Sequence, residues 1–190
     1  MTGTETPDTH PADRQLFADN LDCELVLPVA VAPSGARGRP AQAVSLLQGL
    51  AQIEDLRKDD GGSEEHGDLP LLAQRMDAKL DLILALVGRL AMRADALPEH
   101  PVRWARTGVR VDLDDATGLT PGARALVRLQ PADWLPDHLE LAATVLASEP
   151  LDRGARVWLA FADVAPDLDE ALDRHLFRLH RRQVAEQRRR

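Results

Sequence analysis

The chain has 190 residues, 44% of them hydrophobic, and a formal net charge of −8, which suits one elaborated domain with a real core. The acidic balance disfavours a general nucleic-acid binder, so no nucleic-acid partner is expected. Cys23 is the single cysteine, which excludes an intrachain disulfide and a cysteine-based zinc site.

The start, MTGTETPDTHPADRQLF, lacks the basic n-region and apolar h-region of a signal peptide. Residues 1–18 read as a disordered polar tail, and a cytoplasmic location fits. No run of about 18 apolar residues occurs, so no membrane insertion is expected. Leu21–Pro33, LDCELVLPVAVAP, is rich in valine and leucine and reads as a strand. Pro28 within it points to an edge strand or a break. An isolated strand needs partners for its backbone groups, so residues 19–37 are expected to form the first strand of a barrel completed later in the chain.

Pro40 suits a first helical position, and Ala43, Leu46, Leu47, Leu50 and Ile53 then fall on one stripe. DDGGSEEHGD ends that helix as an exposed connector. Leu69 to Leu97 carries a heptad frame. Ala73, Leu80, Val87 and Ala94 stand at position a; Leu69, Met76, Ile83, Leu90 and Leu97 stand at d. As one helix this segment would run about 43 Å at about 1.5 Å per residue. Leu72 and Leu86 at g, Leu84 at e and Leu82 at c widen the apolar surface beyond a two-stranded seam. Leu80 at a with Ile83 at d favours trimers or tetramers over dimers. Heptads alone do not identify the partner, which is either further copies of this chain or the preceding helix; the wide seam favours assembly. A helical insertion is therefore expected over residues 40–97, with its coiled coil over 69–97.

From Pro101 to Asp163 the sequence alternates in short runs: VRWART, GVRVDL, ARALVRLQP, LELAATVLAS and ARVWLAFADV. TG, DDATGLTPG, PADWLPD and EPLDRG separate them, as in a small antiparallel barrel or sandwich. A helix follows, with Asp167 or Asp169 as its cap and Leu172, Leu176, Phe177 and Leu179 as its apolar face. The basic end, HRRQVAEQRRR, suits the negative pole of that helix better than it suits a binding arm.

No catalytic arrangement emerges. The histidines are His10, His66, His100, His138, His175 and His180, and none makes the i, i+4 spacing of a helical zinc pair. His175 and His180 read as surface residues on different helix faces. DLDDATG from Asp112 resembles a calcium loop, but Ala116 takes a ligand position and no glutamate closes it, so a polar turn is expected. Cys23, in an apolar strand, reads as buried rather than nucleophilic. No metal, cofactor or enzymatic activity is expected.

The order from Pro101 to Arg190 resembles the bacterial PilZ domain, a small barrel that in many members binds cyclic di-GMP. The resemblance rests on the turn ending in Gly108, the closing strand VWLAFADV with Phe161, and the helix segment HLFRLHRRQ. The family's D/N-x-S-x-x-G loop, aligned on Gly108, puts Arg103 at the acidic position and Ala105 at the serine position. An alanine supplies no side-chain hydrogen bond. The family's R-x-x-x-R is matched only by Arg89 and Arg93 inside the heptad helix, spaced as solvated charges on one face. The resemblance is best to an atypical subgroup with inserted long helices that form a four-stranded parallel coiled coil. That subgroup implies a mainly β plus α fold: an antiparallel PilZ-like barrel with a C-terminal helix and an inserted helix pair. It implies a non-catalytic adaptor in pilus, motility or virulence regulation. The adaptor would be a homo-tetramer held by Leu69, Ala73, Met76, Leu80, Ile83, Val87 and Leu90. It would act on a signalling protein partner, and cyclic di-GMP is not expected to bind. The alternative is a cyclic di-GMP receptor with a non-standard site of Arg89, Arg93, Arg103 and Arg106, since arginine forks suit phosphates.

Overall fold

The computed structural model describes residues 10–59, 76, 80, 87, 96–132, 134–135 and 137–188. Six strands close into an antiparallel barrel: β1 (Asp22–Pro33), β2 (Glu99–Ala105), β3 (Gly108–Leu113), β4 (Arg124–Leu129), β5 (Leu139–Pro150) and β6 (Ala155–Phe161). The order around the barrel is β1-β2-β3-β6-β5-β4. The alternation in the sequence is the alternation of the wall. In β4, Ala125, Val127 and Leu129 are buried while Leu126 and Arg128 turn outward.

The strand expected from Leu21–Pro33 belongs to this barrel and closes it. Asp22 to Pro28 pair with Ala105 to Glu99 of β2, and Val29 to Pro33 pair with Leu129 to Ala125 of β4. Pro28 therefore lies inside a closed wall rather than at an edge. It has no N–H to place in a ladder, and it sits where β1 changes partners. Around it Val29 donates to the Pro98 carbonyl at 2.9 Å, and Gln130 donates to the Pro28 carbonyl at 3.0 Å.

Besides α1 (Pro11–Phe17), the helices α2 (Pro40–Asp59) and α3 (Pro166–Gln187) pack on each other and on the barrel. Ala43, Val44 and Leu47 of α2 and Leu168, Leu172, Leu176 and Leu179 of α3 join the strand residues in one core. Arg182 of α3 pairs with Glu54 of α2 at 2.7 Å, and Gln183 donates to the Glu24 carbonyl of β1 at 2.8 Å. α3 starts without a side-chain cap. Asp167 bonds only to its neighbour's N–H, and Asp169 is drawn to Arg106 instead. Phe177, expected on the apolar face, is 54% exposed, because the buried stripe runs through Leu172, His175, Leu176 and Leu179. His175, expected at the surface, lies on that stripe and is 1% exposed.

Residues 11–17 are not part of a tail. They form α1 (Pro11–Phe17), with Ala12, Leu16 and Phe17 buried against the barrel wall. The heptad segment and its Leu69, Ala73, Ile83 and Leu90 lie outside the described residues. Within it Met76, Leu80 and Val87 are helical and 58%, 59% and 59% exposed. Ala96–Pro98 are not helical, so the frame stops short of Leu97. Pro98 disfavours helical backbone at the residue before it.

Candidate interaction site at the β2–β3 turn

The turn that the sequence singles out is two residues long. Ala105 pairs with Gly108, leaving Arg106 and Thr107 at the tip. Gly108 has a structural reason to be glycine. A Cβ there would lie 2.2 Å from the Leu159 carbonyl oxygen of β6 and 2.8 Å from Leu16. Ala105 is fully buried, sealed under α1 with Ala12, Leu16, Phe17 and Trp158.

Arg103 does not project freely from the turn. Its Nε and NH2 donate to both carboxylate oxygens of Asp22 at 3.0 and 2.9 Å, and its guanidinium lies 4.3 Å from the Phe17 ring centroid. The Asp22 hydrogen bond pushes the Arg103 pKa above its ordinary value, against a smaller opposing effect of burial. Arg106 donates to Asn20 at 3.1 Å and to Asp169 at 2.6 Å. Arg110 donates to Asp13 at 3.1 and 3.2 Å and to Glu24 at 3.4 Å. Each of the three arginines thus holds a carboxylate of its own chain, in the charge-assisted geometry that makes such bonds strong.

α1 is fastened to this surface by polar contacts at both ends. His10 caps it by accepting from the Ala12 N–H at 3.1 Å, and Pro11 stands at the first helical position. The His10 ring stacks on Trp158 with centroids 4.3 Å apart. Asp13 accepts from the Trp158 indole N–H at 2.8 Å as well as from Arg110. Thr107 of the turn donates to the Leu16 carbonyl at 2.8 Å, and Asn20 donates to the same carbonyl at 2.9 Å. Sequence reasoning missed Asp13, Leu16, Phe17 and Asp22. The signal for α1 was present in HPADRQLF: a proline at the first helical position and an apolar pair five and six residues on.

The structure brings Arg103, Ala105 and Gly108 together at one turn, with Arg106 beside them. Arg89 and Arg93 lie outside the described residues. Among the described residues no group of three His, Cys, Asp or Glu side chains could hold a metal ion. Cys23 is buried, and burial, with a smaller contribution from Asp22, pushes its thiol up to about 11, so it is not poised as a nucleophile. Among the described residues no helix is long and apolar enough to cross a membrane.

The family described as "Atypical PilZ domain, cyclic di-GMP receptor" matches residues 47–189. A solved structure of a pathogenic protein from Xanthomonas campestris is 50% identical, with a TM-score of 0.77, covering 92% of this chain and 95% of that one. It is described as a new tetrameric PilZ domain self-assembled via an unusual helical bundle. YcgR from Escherichia coli, solved in complex with cyclic di-GMP, is 16% identical with a TM-score of 0.41, covering 50% of this chain and 41% of that one. The Bacillus subtilis inhibitor of motility is 20% identical with a TM-score of 0.36, covering 46% and 43%. No curated protein matches the chain.

Proposed function

This chain belongs to the atypical PilZ domain family, and we propose that within it the chain is a non-catalytic signalling adaptor that works through protein contacts. The class is that of cyclic di-GMP-related signalling, and no enzymatic family is indicated. The observation that carries the reading is the state of the β2–β3 turn. Arg103, Arg106 and Arg110 are each paired with a carboxylate of the same chain, and Ala105 is sealed beneath α1. A nucleotide at this turn would have to break those pairs and displace the helix. The adaptor is read as cytoplasmic, with residues 40–97 as a helical insertion and the rest as the barrel and its helix.

Assembly is the second half of the reading. Met76, Leu80 and Val87 fall at heptad positions and are more than half exposed in the single chain. An apolar stripe of that kind, left bare, is an aggregation liability. A parallel homo-tetramer seated on Leu69, Ala73, Met76, Leu80, Ile83, Val87 and Leu90 would cover it. The tetrameric helical bundle described for the Xanthomonas campestris relative supports this choice. Joining several barrels would strengthen a weak contact with a signalling partner, by about two to four orders of magnitude where geometry permits. Regulation of pili, motility or virulence is the setting the family resemblance favours.

Calorimetric titration of the full chain with cyclic di-GMP tests the first half. The expected result is no saturable heat at micromolar nucleotide. A dissociation constant near 1 µM, about −8 kcal/mol, would overturn it. The family description itself favours a second reading, a receptor with a non-standard arginine site. Under that reading the titration saturates, and Arg103→Ala or Arg106→Ala abolishes the heat.

A further inference from the structure

We propose that the outer face of β2, β3 and β6 is a docking groove for an acidic amphipathic helix, and that α1 is its built-in, displaceable occupant. A partner protein would enter it with a helix that repeats the spacing of α1: an aspartate, then leucine and phenylalanine three and four residues on.

Three observations carry this. First, α1 belongs to a small apolar cluster of its own, with Ala105 and Trp158, separate from the barrel core. Its release would leave that core intact. Second, α1 has 7 residues, far fewer than an isolated helix needs in water, so it holds its shape only while docked. Such a segment sits at the low-stability end of a fold and opens locally. Third, the groove has the composition of a binding hot spot rather than of ordinary wall. Its floor is the Trp158 ring and Ala105, and its rim is Arg103 and Arg110. Tryptophan and arginine are the residue types that dominate binding energy at interfaces.

The way α1 sits gives the partner's chemistry. The Asp13 carboxylate takes the Trp158 indole N–H and the Arg110 guanidinium together, at 2.8 and 3.1 Å. Leu16, 1% exposed, packs against the Gly108 position, where only a residue without Cβ leaves room. Phe17 lies under the Arg103 guanidinium. A basic helix would face arginines at the rim. A helix without the aspartate would leave the indole N–H unpaired in a buried groove and Arg110 with Glu24 alone.

This inference deepens the adaptor reading and rests on it for the partner being a protein. The test uses the full chain and a fluorescein-labelled peptide of residues 8–20, DTHPADRQLFADN, read by fluorescence anisotropy. Leu16→Asp and, separately, Asp13→Asn weaken the docking of α1; circular dichroism melting reports whether each barrel is folded. Both variants are expected to bind the peptide saturably, about tenfold or more tightly than the wild type, because α1 no longer competes in cis. A peptide carrying both changes should not bind, and Trp158→Phe in the Asp13→Asn background should weaken binding. Absence of saturable binding to folded Asp13→Asn chain overturns the proposal. So does equal binding by the wild type, or by the doubly changed peptide. Nucleotide binding and assembly are measured separately, by calorimetry and by light scattering.

Discussion

His175 is buried at 1% exposure beside Trp104, with ring centroids 5.4 Å apart, and among the described residues neither ring nitrogen has a well-aligned hydrogen-bond partner. Burial pushes its pKa down to about 4; the nearby Pro131 carbonyl opposes this, and the Arg178 and Arg182 charges add to it. A histidine whose folded pKa lies below its unfolded value binds more protons when unfolded. Its stabilising contribution is therefore complete above about pH 6.5 and is lost as the pH falls toward 4. Between pH 7 and 5 the wild type should lose about 2 kcal/mol more stability than His175→Leu, as read from urea melts at each pH. Equal losses would show that this ring does not titrate on unfolding. Gly108 makes a second prediction at this scale. Gly108→Ala should destabilise the fold by roughly 1–3 kcal/mol, because its Cβ would meet backbone, not a yielding side chain. The glycine was legible in the sequence as the end of a turn, but its reason was not, since the crowding comes from β6 and α1. His175 was misread because spacing to other histidines was weighed, and its place between Leu172 and Leu179 was not.

The strands were the legible elements. β3, β4 and β5 alternate because one face meets the interior of a closed barrel; β6 buries three residues in a row because its Trp158 is covered by α1. β1 was legible as a strand but not as one that changes partners at Pro28, since which strands flank it is a matter of topology. α1 stayed hidden because a helix of 7 residues carries too little periodicity, and its partners lie up to 145 residues away. The role of β1 makes the prediction at this scale. It stands between β2 and β4, so a fragment beginning at residue 96 would carry two long open strand edges and lack Cys23, Leu27 and Val29 from its core. That fragment should show no cooperative thermal transition by circular dichroism. A cooperative melt near that of the full chain would mean β1 is dispensable.

At the scale of the whole molecule, the barrel is interrupted early. β1 leads into α2, and the chain re-enters the sheet at Glu99. The chain thus leaves one barrel wall and returns to the strand beside it, and the first part of the excursion, α2, packs into the barrel's own core. The heptad frame repeats for about four heptads in the sequence, and nearly all of it lies outside the described residues. What covers it is not written in one chain, since a seam buried between copies and a seam buried against a neighbouring helix share the same period. Light scattering on the full chain and on Leu80→Asp/Ile83→Asp separates the two. The wild type is expected at four times the mass of one chain. The double variant, which would bury carboxylates in every layer it touches, is expected as a monomer with the barrel's circular dichroism spectrum retained. A monomeric wild type, or a variant that stays tetrameric, would contradict assembly through this helix.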